Sequence, residues 1–156
     1  MILTMTIQFI CRGNVFRSII AETYLRSLQI PGVQVYSSGT VAGQDKAGNW
    51  ADYQKVHAFL ISQHLAQFIK PDYGEDINQA LLDKSDVVVF MNERAYKEAA
   101  GKFHFPKDTQ VWDISDLNEL PEVPETDQEI MQAVEKVFHE ITTRVDALVR
   151  RHHLQA

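Results

Sequence analysis

Apolar positions along this chain fall into short continuous runs and longer stretches of helical spacing. MTIQFI, residues 5–10, closes an apolar N-terminal segment and reads as a buried first strand. Ile19, Ile20, Tyr24, Leu25 and Leu28 then recur at helical intervals, until Pro31 and Gly32 stop the helix. VQVYSSGT, residues 33–40, reads as a second strand running into a polar turn, and Val41 to Asn49 as a loop. A helix is expected from Ala51 to Phe68, ended by Lys70 and Pro71, with a shorter one over 77–83. DVVVFM, residues 86–91, has no polar alternation and suits a central strand buried on both faces. NERAYKEAA follows as a short helix, Thr109–Trp112 as a fourth strand, and DISDLNELPEVPETD as a long acidic loop. Thr126 and Glu129 have capping-box spacing. Behind them Ile130, Val134, Val137, Phe138, Ile141, Val145 and Leu148 mark one face of a terminal helix.

Strands separated by helices imply an α/β fold, with a parallel sheet covered on both faces and loop sites at the carboxyl ends of its strands. Cys11, Ser37–Thr40, Met91–Asn92 and Asp113 occupy those ends, which puts four loops on one rim. A chain of 156 residues fits a single domain, 1–156, with a substantial core. The net charge of −6 argues against a nucleic-acid surface but permits a local cationic pocket. No apolar run is long enough to span a bilayer, so no membrane partner is expected, and MILTMTIQFI lacks the basic leader of a signal peptide. The single cysteine excludes an internal disulfide and a multi-cysteine metal cluster. A lone thiol favours a reducing compartment, hence a cytoplasmic location. His57, His64, His104, His152 and His153 form no metal-binding pattern, and RRHHLQA reads as a frayed basic tail.

The chemistry concentrates in CRGNVFRS, residues 11–18. Free cysteines are often small buried hydrophobes, but this one ends a strand and opens a short loop into a helix. Successive amides in such a loop form an anion nest, the helix adds its positive end, and both favour a thiolate. Arg17 offers a rigid fork of donors to two phosphate oxygens, and a cation beside unpaired helix amides makes sense when an anion lies between them. Gly13 permits a tight path. Asn14 can adopt a left-handed conformation or tie the loop with its side chain. Ser18 is a candidate N-cap, and equally a hydrogen-bond donor to Cys11.

Cysteine, five residues, arginine and serine after a first strand resembles the phosphate loop of the low-molecular-weight protein tyrosine phosphatases. The resemblance runs through CRGNVFRS, AE at 21–22, SSGT at 37–40, AD at 51–52, DVVVFMNE at 86–93 and WDISD at 112–116, nearly the whole chain. It implies a three-layer sandwich around a four-stranded parallel sheet, with a P-loop-like phosphate loop after the first strand. It also implies hydrolysis of phosphotyrosine proteins or small aryl phosphates through a cysteinyl-phosphate, with inorganic phosphate as product and no metal or cofactor. Cys11, Arg17 and Asp116 carry the chemistry in that reading. Arg12, Gly13, Asn14, Val15, Phe16, Ser18 and the entrance residue Trp50 bind substrate.

The chain departs from the family in three places. Phe16 stands where a second cysteine is common, so no protective vicinal disulfide can form, and Arg12 brings a positive group beside the pocket. The family's acid is usually an aspartate before proline, and no Asp-Pro occurs here; Asp116 is the expected acid and Asp113 the runner-up. Thiol-dependent arsenate reduction is the nearest enzymatic alternative, although Cys11 has no partner for an internal relay. A non-catalytic phosphate- or phosphopeptide-binding protein on the same scaffold is the alternative from another class.

Overall fold

A computed structural model describes residues 4–154. Its elements are β1 (Met5–Cys11), α1 (Arg17–Ser27), β2 (Val33–Gly39), α2 (Ala42–Asp45), α3 (Trp50–Ser62), α4 (Gln79–Lys84), β3 (Val87–Phe90), α5 (Glu93–Ala100), β4 (Asp108–Val111) and α6 (Asp127–Arg151). Short 3-10 turns cover Ala66–Phe68 and Leu117–Glu119. The four strands are all parallel in the order β2-β1-β3-β4. Cys11 pairs with Gly39 at the end of the β1–β2 ladder, which brings the loops after both strands together.

Side-chain alternation divides the core into two layers. Ile7, Phe9, Val87 and Val89 pack on one face against α1, α3 and α6. Ile10, Val88 and Phe90 pack on the other against Leu82 of α4 and Ala95 and Ala99 of α5. This is the expected three-layer α/β sandwich. The expected terminal-helix stripe buries Val134, Val137, Ile141, Val145 and Leu148. At roughly 1.5–3 kcal/mol per buried side chain, that stripe rather than helix propensity holds α6 in place. Thr126 accepts the Glu129 N–H at its start.

Three local expectations are corrected. The Val41–Asn49 segment contains the one-turn helix α2. The helix expected to reach Phe68 stops at Ser62, because His64 takes a left-handed conformation (φ 63°). Its N–H reaches Ile61 O and that of Leu65 reaches Leu60 O, the paired bonds of a Schellman stop. The basic tail is docked through Leu154 where it is described: Arg151 and His152 both reach Asp108 of β4. Gln155 and Ala156, like Met1–Leu3, lie outside the described residues.

The outer edge of β2 is contacted at three positions, Val35, Ser37 and Gly39. Arg26 donates to Val35 O at 2.9 Å, Lys70 to Ser37 O at 3.2 Å, and Gly39 exchanges bonds with Glu75 O and Ile77 N–H. Among the described residues no helix is long and apolar enough to cross a membrane.

Candidate active site

The loop between β1 and α1 is held by its own carbonyls and by one asparagine. Cys11 O accepts the Thr40 N–H, Arg12 O that of Val41, and Asn14 O that of Gly74, each within 3.0 Å. Asn14 has the left-handed conformation anticipated for it, φ 51°. Its side chain is fully engaged: Nδ2 donates to Ser18 Oγ (3.0 Å) and Ser37 Oγ (2.9 Å), while Oδ1 accepts from Lys70 Nζ (2.7 Å) and the Glu75 N–H (3.0 Å). A backbone turn that few side chains adopt is thereby fixed from four directions.

Cys11 is 2% exposed. Its Sγ receives the Asn14 N–H at 3.2 Å and lies 2.9 Å from Ser18 Oγ, two donors suited to a negatively charged sulfur. Ser18 sits inside the first turn of α1 and caps nothing; Phe16 holds the cap position without a side-chain bond. Of its two anticipated roles, Ser18 therefore takes the contact with sulfur. Arg17 opens α1 and is 1% exposed. Its Nη1 donates to Ile114 O at 2.9 Å and lies 3.6 Å from Glu119; its Nη2 lies 3.7 Å from Asp116 Oδ2.

These groups converge on a cavity of about 280 Å³. Cys11, Gly13, Val15, Phe16 and Arg17 form its base. Asn49, Asp52, Lys55 and Val56 form one wall, and Asp116, Leu117, Val123, Pro124, Ile130 and Val134 the other. Asp116 is the acid candidate at the cavity. Asp113 is exposed and ion-paired with Arg144 of α6, so the runner-up is turned away.

Four of the expected binding residues do not line the cavity: Asn14 and Ser18 are fully buried behind it, where they hold the loop and the sulfur, and Arg12 and Trp50 are drawn elsewhere. Arg12 turns its guanidinium to Glu98, with Nε 2.6 Å from the carboxylate, and adds no free charge to the pocket. Trp50 is 51% exposed and packs against Tyr53 and Tyr73, whose own rings are stacked at 4.2 Å. These tilted aromatic contacts leave it outside the walls.

Sequence reasoning missed the α3 wall, Lys70 and Glu119. Lys70 read only as the end of a helix, yet it is buried and links Asn14, Ser37 and Glu75. Glu22 lies in the same network; one of its carboxylate oxygens has no hydrogen bond and faces Arg26 Nη2 at 3.5 Å. Burial raises its carboxyl above the ordinary value, against the opposing pull of Lys70, Arg26 and the Ser37 hydroxyl. Glu119 had a legible signal, because Asp116 and Glu119 have capping-box spacing and form that box in the fold.

The model of the family described as "Low molecular weight phosphotyrosine protein phosphatase" matches residues 6–156. A protein of Ralstonia nicotianae described as "Probable low molecular weight protein-tyrosine-phosphatase EpsP" is 26% identical over 148 residues, covering 94% of each chain. The solved structure of Vibrio vulnificus Wzb in complex with benzylphosphonate aligns with a TM-score of 0.72 at 17% identity, over 94% of this chain and 98% of that one. The Drosophila arginine phosphatase DARP aligns at 0.68 and 16% identity, over 95% and 98%. At such identities the two structures attest the fold alone, while the family match spans the phosphate loop, the acid loop and the rim between them. The chain belongs to the low-molecular-weight protein tyrosine phosphatase family and is a phosphatase of that superfamily.

Proposed function

We propose that the chain hydrolyses phosphotyrosine and related aryl phosphomonoesters through a phosphocysteine formed on Cys11. The observation that carries this reading is the composition of one cavity: Cys11, Arg17 and Asp116 share it with a largely aliphatic wall of Leu117, Val123, Pro124, Ile130 and Val134. A flat apolar ring gains from burial against such a wall, while its phosphate reaches the loop.

The Cys11 thiolate attacks phosphorus in line with the ester oxygen, and Asp116 gives that oxygen its proton as the P–O bond breaks. Arg17 has Nη1 engaged by Ile114, which leaves Nε and Nη2 as the fork for two phosphate oxygens. The loop amides neutralise the remaining charge. The phosphocysteine is then opened by water, with Asp116 as base. Ser18 donates to the departing sulfur in that second step. A reducing, cytoplasmic setting would keep the nucleophile available.

One observation favours a second reading. Asp52 faces the cavity from α3, and a carboxylate there suits a guanidinium, hence a phosphoarginine. Lys55 on the same wall offsets that attraction, so the aryl ester is preferred.

Rapid mixing with 4-nitrophenyl phosphate should release a burst of nitrophenol approaching one equivalent per chain, and Cys11→Ser should remain folded and give none. Saturable phosphate binding without a burst would mark a non-catalytic binder. Faster turnover of phosphoarginine than of phosphotyrosine peptides would transfer the assignment. Arsenate-dependent consumption of an added thiol, with negligible phosphatase turnover, would identify the reductase alternative.

A further inference from the structure

Glu119 joins three loops that the sheet delivers to one rim. Its Oε1 accepts the Asp116 N–H at 2.9 Å and lies 3.6 Å from Arg17 Nη1. Both its carboxylate oxygens lie 3.3 Å from Asn92 Nδ2, at the carboxyl end of β3. Asn92 is itself anchored, since its Oδ1 caps α5 through the Ala95 N–H at 3.0 Å. Asp116 is followed by Leu117, so no proline ring limits the backbone at this point. The reciprocal box between Asp116 and Glu119 supplies that constraint instead, and its far end is bolted to Asn92 and Arg17.

We propose that Glu119 is a positioning residue that holds Asp116 over the Cys11 cavity for proton transfer, by fixing the acid loop to Asn92 and to the phosphate-binding Arg17. Glu119 does not line the cavity and does not itself carry the proton. The inference rests on the reading of Asp116 as general acid.

A misplaced acid slows esters with poor leaving groups and spares those that depart unprotonated, a signature that general loss of structure does not produce. The test compares kcat/KM for phenyl phosphate and 4-nitrophenyl phosphate, alongside the melting temperature. Glu119→Ala should lose about 10–100-fold on phenyl phosphate, part of the range general acid assistance supplies, with little change on the nitrophenyl ester. Glu119→Gln keeps an acceptor for the Asp116 N–H and should recover most of that loss. Asn92→Asp keeps the α5 cap but sets two carboxylates against each other, and should resemble Glu119→Ala. Adding Glu119→Ala to Asp116→Asn should cost nothing more on phenyl phosphate, because the acid it positions is gone.

Equal losses on both esters in Glu119→Ala, no loss at all, or additive losses in the double variant would overturn the inference. Glu119→Gln as impaired as Glu119→Ala would also overturn it, because an acceptor restored to the Asp116 N–H and Asn92 would then do nothing for the acid. If Asp116→Asn shows no leaving-group dependence, the acid assignment falls and this inference falls with it. If Asp116→Asn shows the dependence and Glu119→Ala does not, only the positioning role is lost.

Discussion

At Arg17 a single guanidinium meets a carbonyl and two carboxylates while almost fully withdrawn from water. An ammonium group is a point charge and cannot span Ile114 O on one side and a phosphate on the other. Arg17→Lys should therefore reduce kcat/KM for 4-nitrophenyl phosphate by about 10²–10³, the usual cost of one lost transition-state donor. Near-normal hydrolysis by that variant would remove Arg17 from its role. The convergence of Cys11 and Arg17 on one cavity was legible in the sequence because both lie within one short loop, whose span limits how far apart they can sit. Lys70 and Glu119 were not legible as partners of that loop. Lys70 meets Asn14 across 56 positions, and only the assembled sheet brings them together. Arg12 and Trp50 illustrate the opposite limit. Adjacency to Cys11 placed Arg12 at the pocket and the family resemblance placed Trp50 at its entrance, while Glu98 engages the one and Tyr53 and Tyr73 pack against the other.

Among the elements, the turn after β2 and the stop of α3 have the clearest consequences. A Cβ on Gly39 would lie 2.5 Å from Arg12 O and 2.8 Å from Asn14 N, backbone atoms of the phosphate loop. Gly39→Ala should displace the loop, weakening competitive inhibition by inorganic phosphate and lowering the melting temperature together. Unchanged phosphate affinity would show that the loop tolerates the shift. His64 holds a left-handed position better suited to glycine. His64→Gly should stabilise the fold by about 0.5–1 kcal/mol, measured by denaturant unfolding. A residue inside the continuous helix first expected there would lose about 1 kcal/mol on the same change, so the sign separates the two geometries. QHLAQF contains neither glycine nor proline, which is why the stop was hidden. The start of α6 was readable because Thr126 and Glu129 announce themselves locally.

For the molecule as a whole, the alternation of strands and helices was enough for a parallel sheet with loops gathered on one rim. Strand order was not, because each pairing joins segments that no local pattern links. The same applies to the buried charges packed behind the phosphate loop. Glu22 is held near Lys70 and Arg26, and burial raises its carboxyl above the ordinary value. A group whose folded value exceeds its unfolded value contributes stability that is fully present below the unfolded value. That contribution is lost as pH rises through the folded value. The melting temperature of the native chain minus that of Glu22→Gln should therefore decline from about pH 4 upward toward neutrality. A difference that is flat or rises with pH would show that attraction to Lys70 and Arg26 outweighs the burial.

The contacts on the margin of β2 bear on how the protein behaves in crowded solution. Open sheet margins are templates on which other chains can add a strand, the first step toward fibrous aggregates. Here an incoming segment would have to displace the arginine on Val35 O and the lysine on Ser37 O, and then break the bonds Gly39 makes with Glu75 and Ile77. Lys70 also bonds Asn14, so one side chain contributes both to holding the Cys11 loop and to covering this margin. Loss of that lysine would thus bear on solubility as well as on the loop.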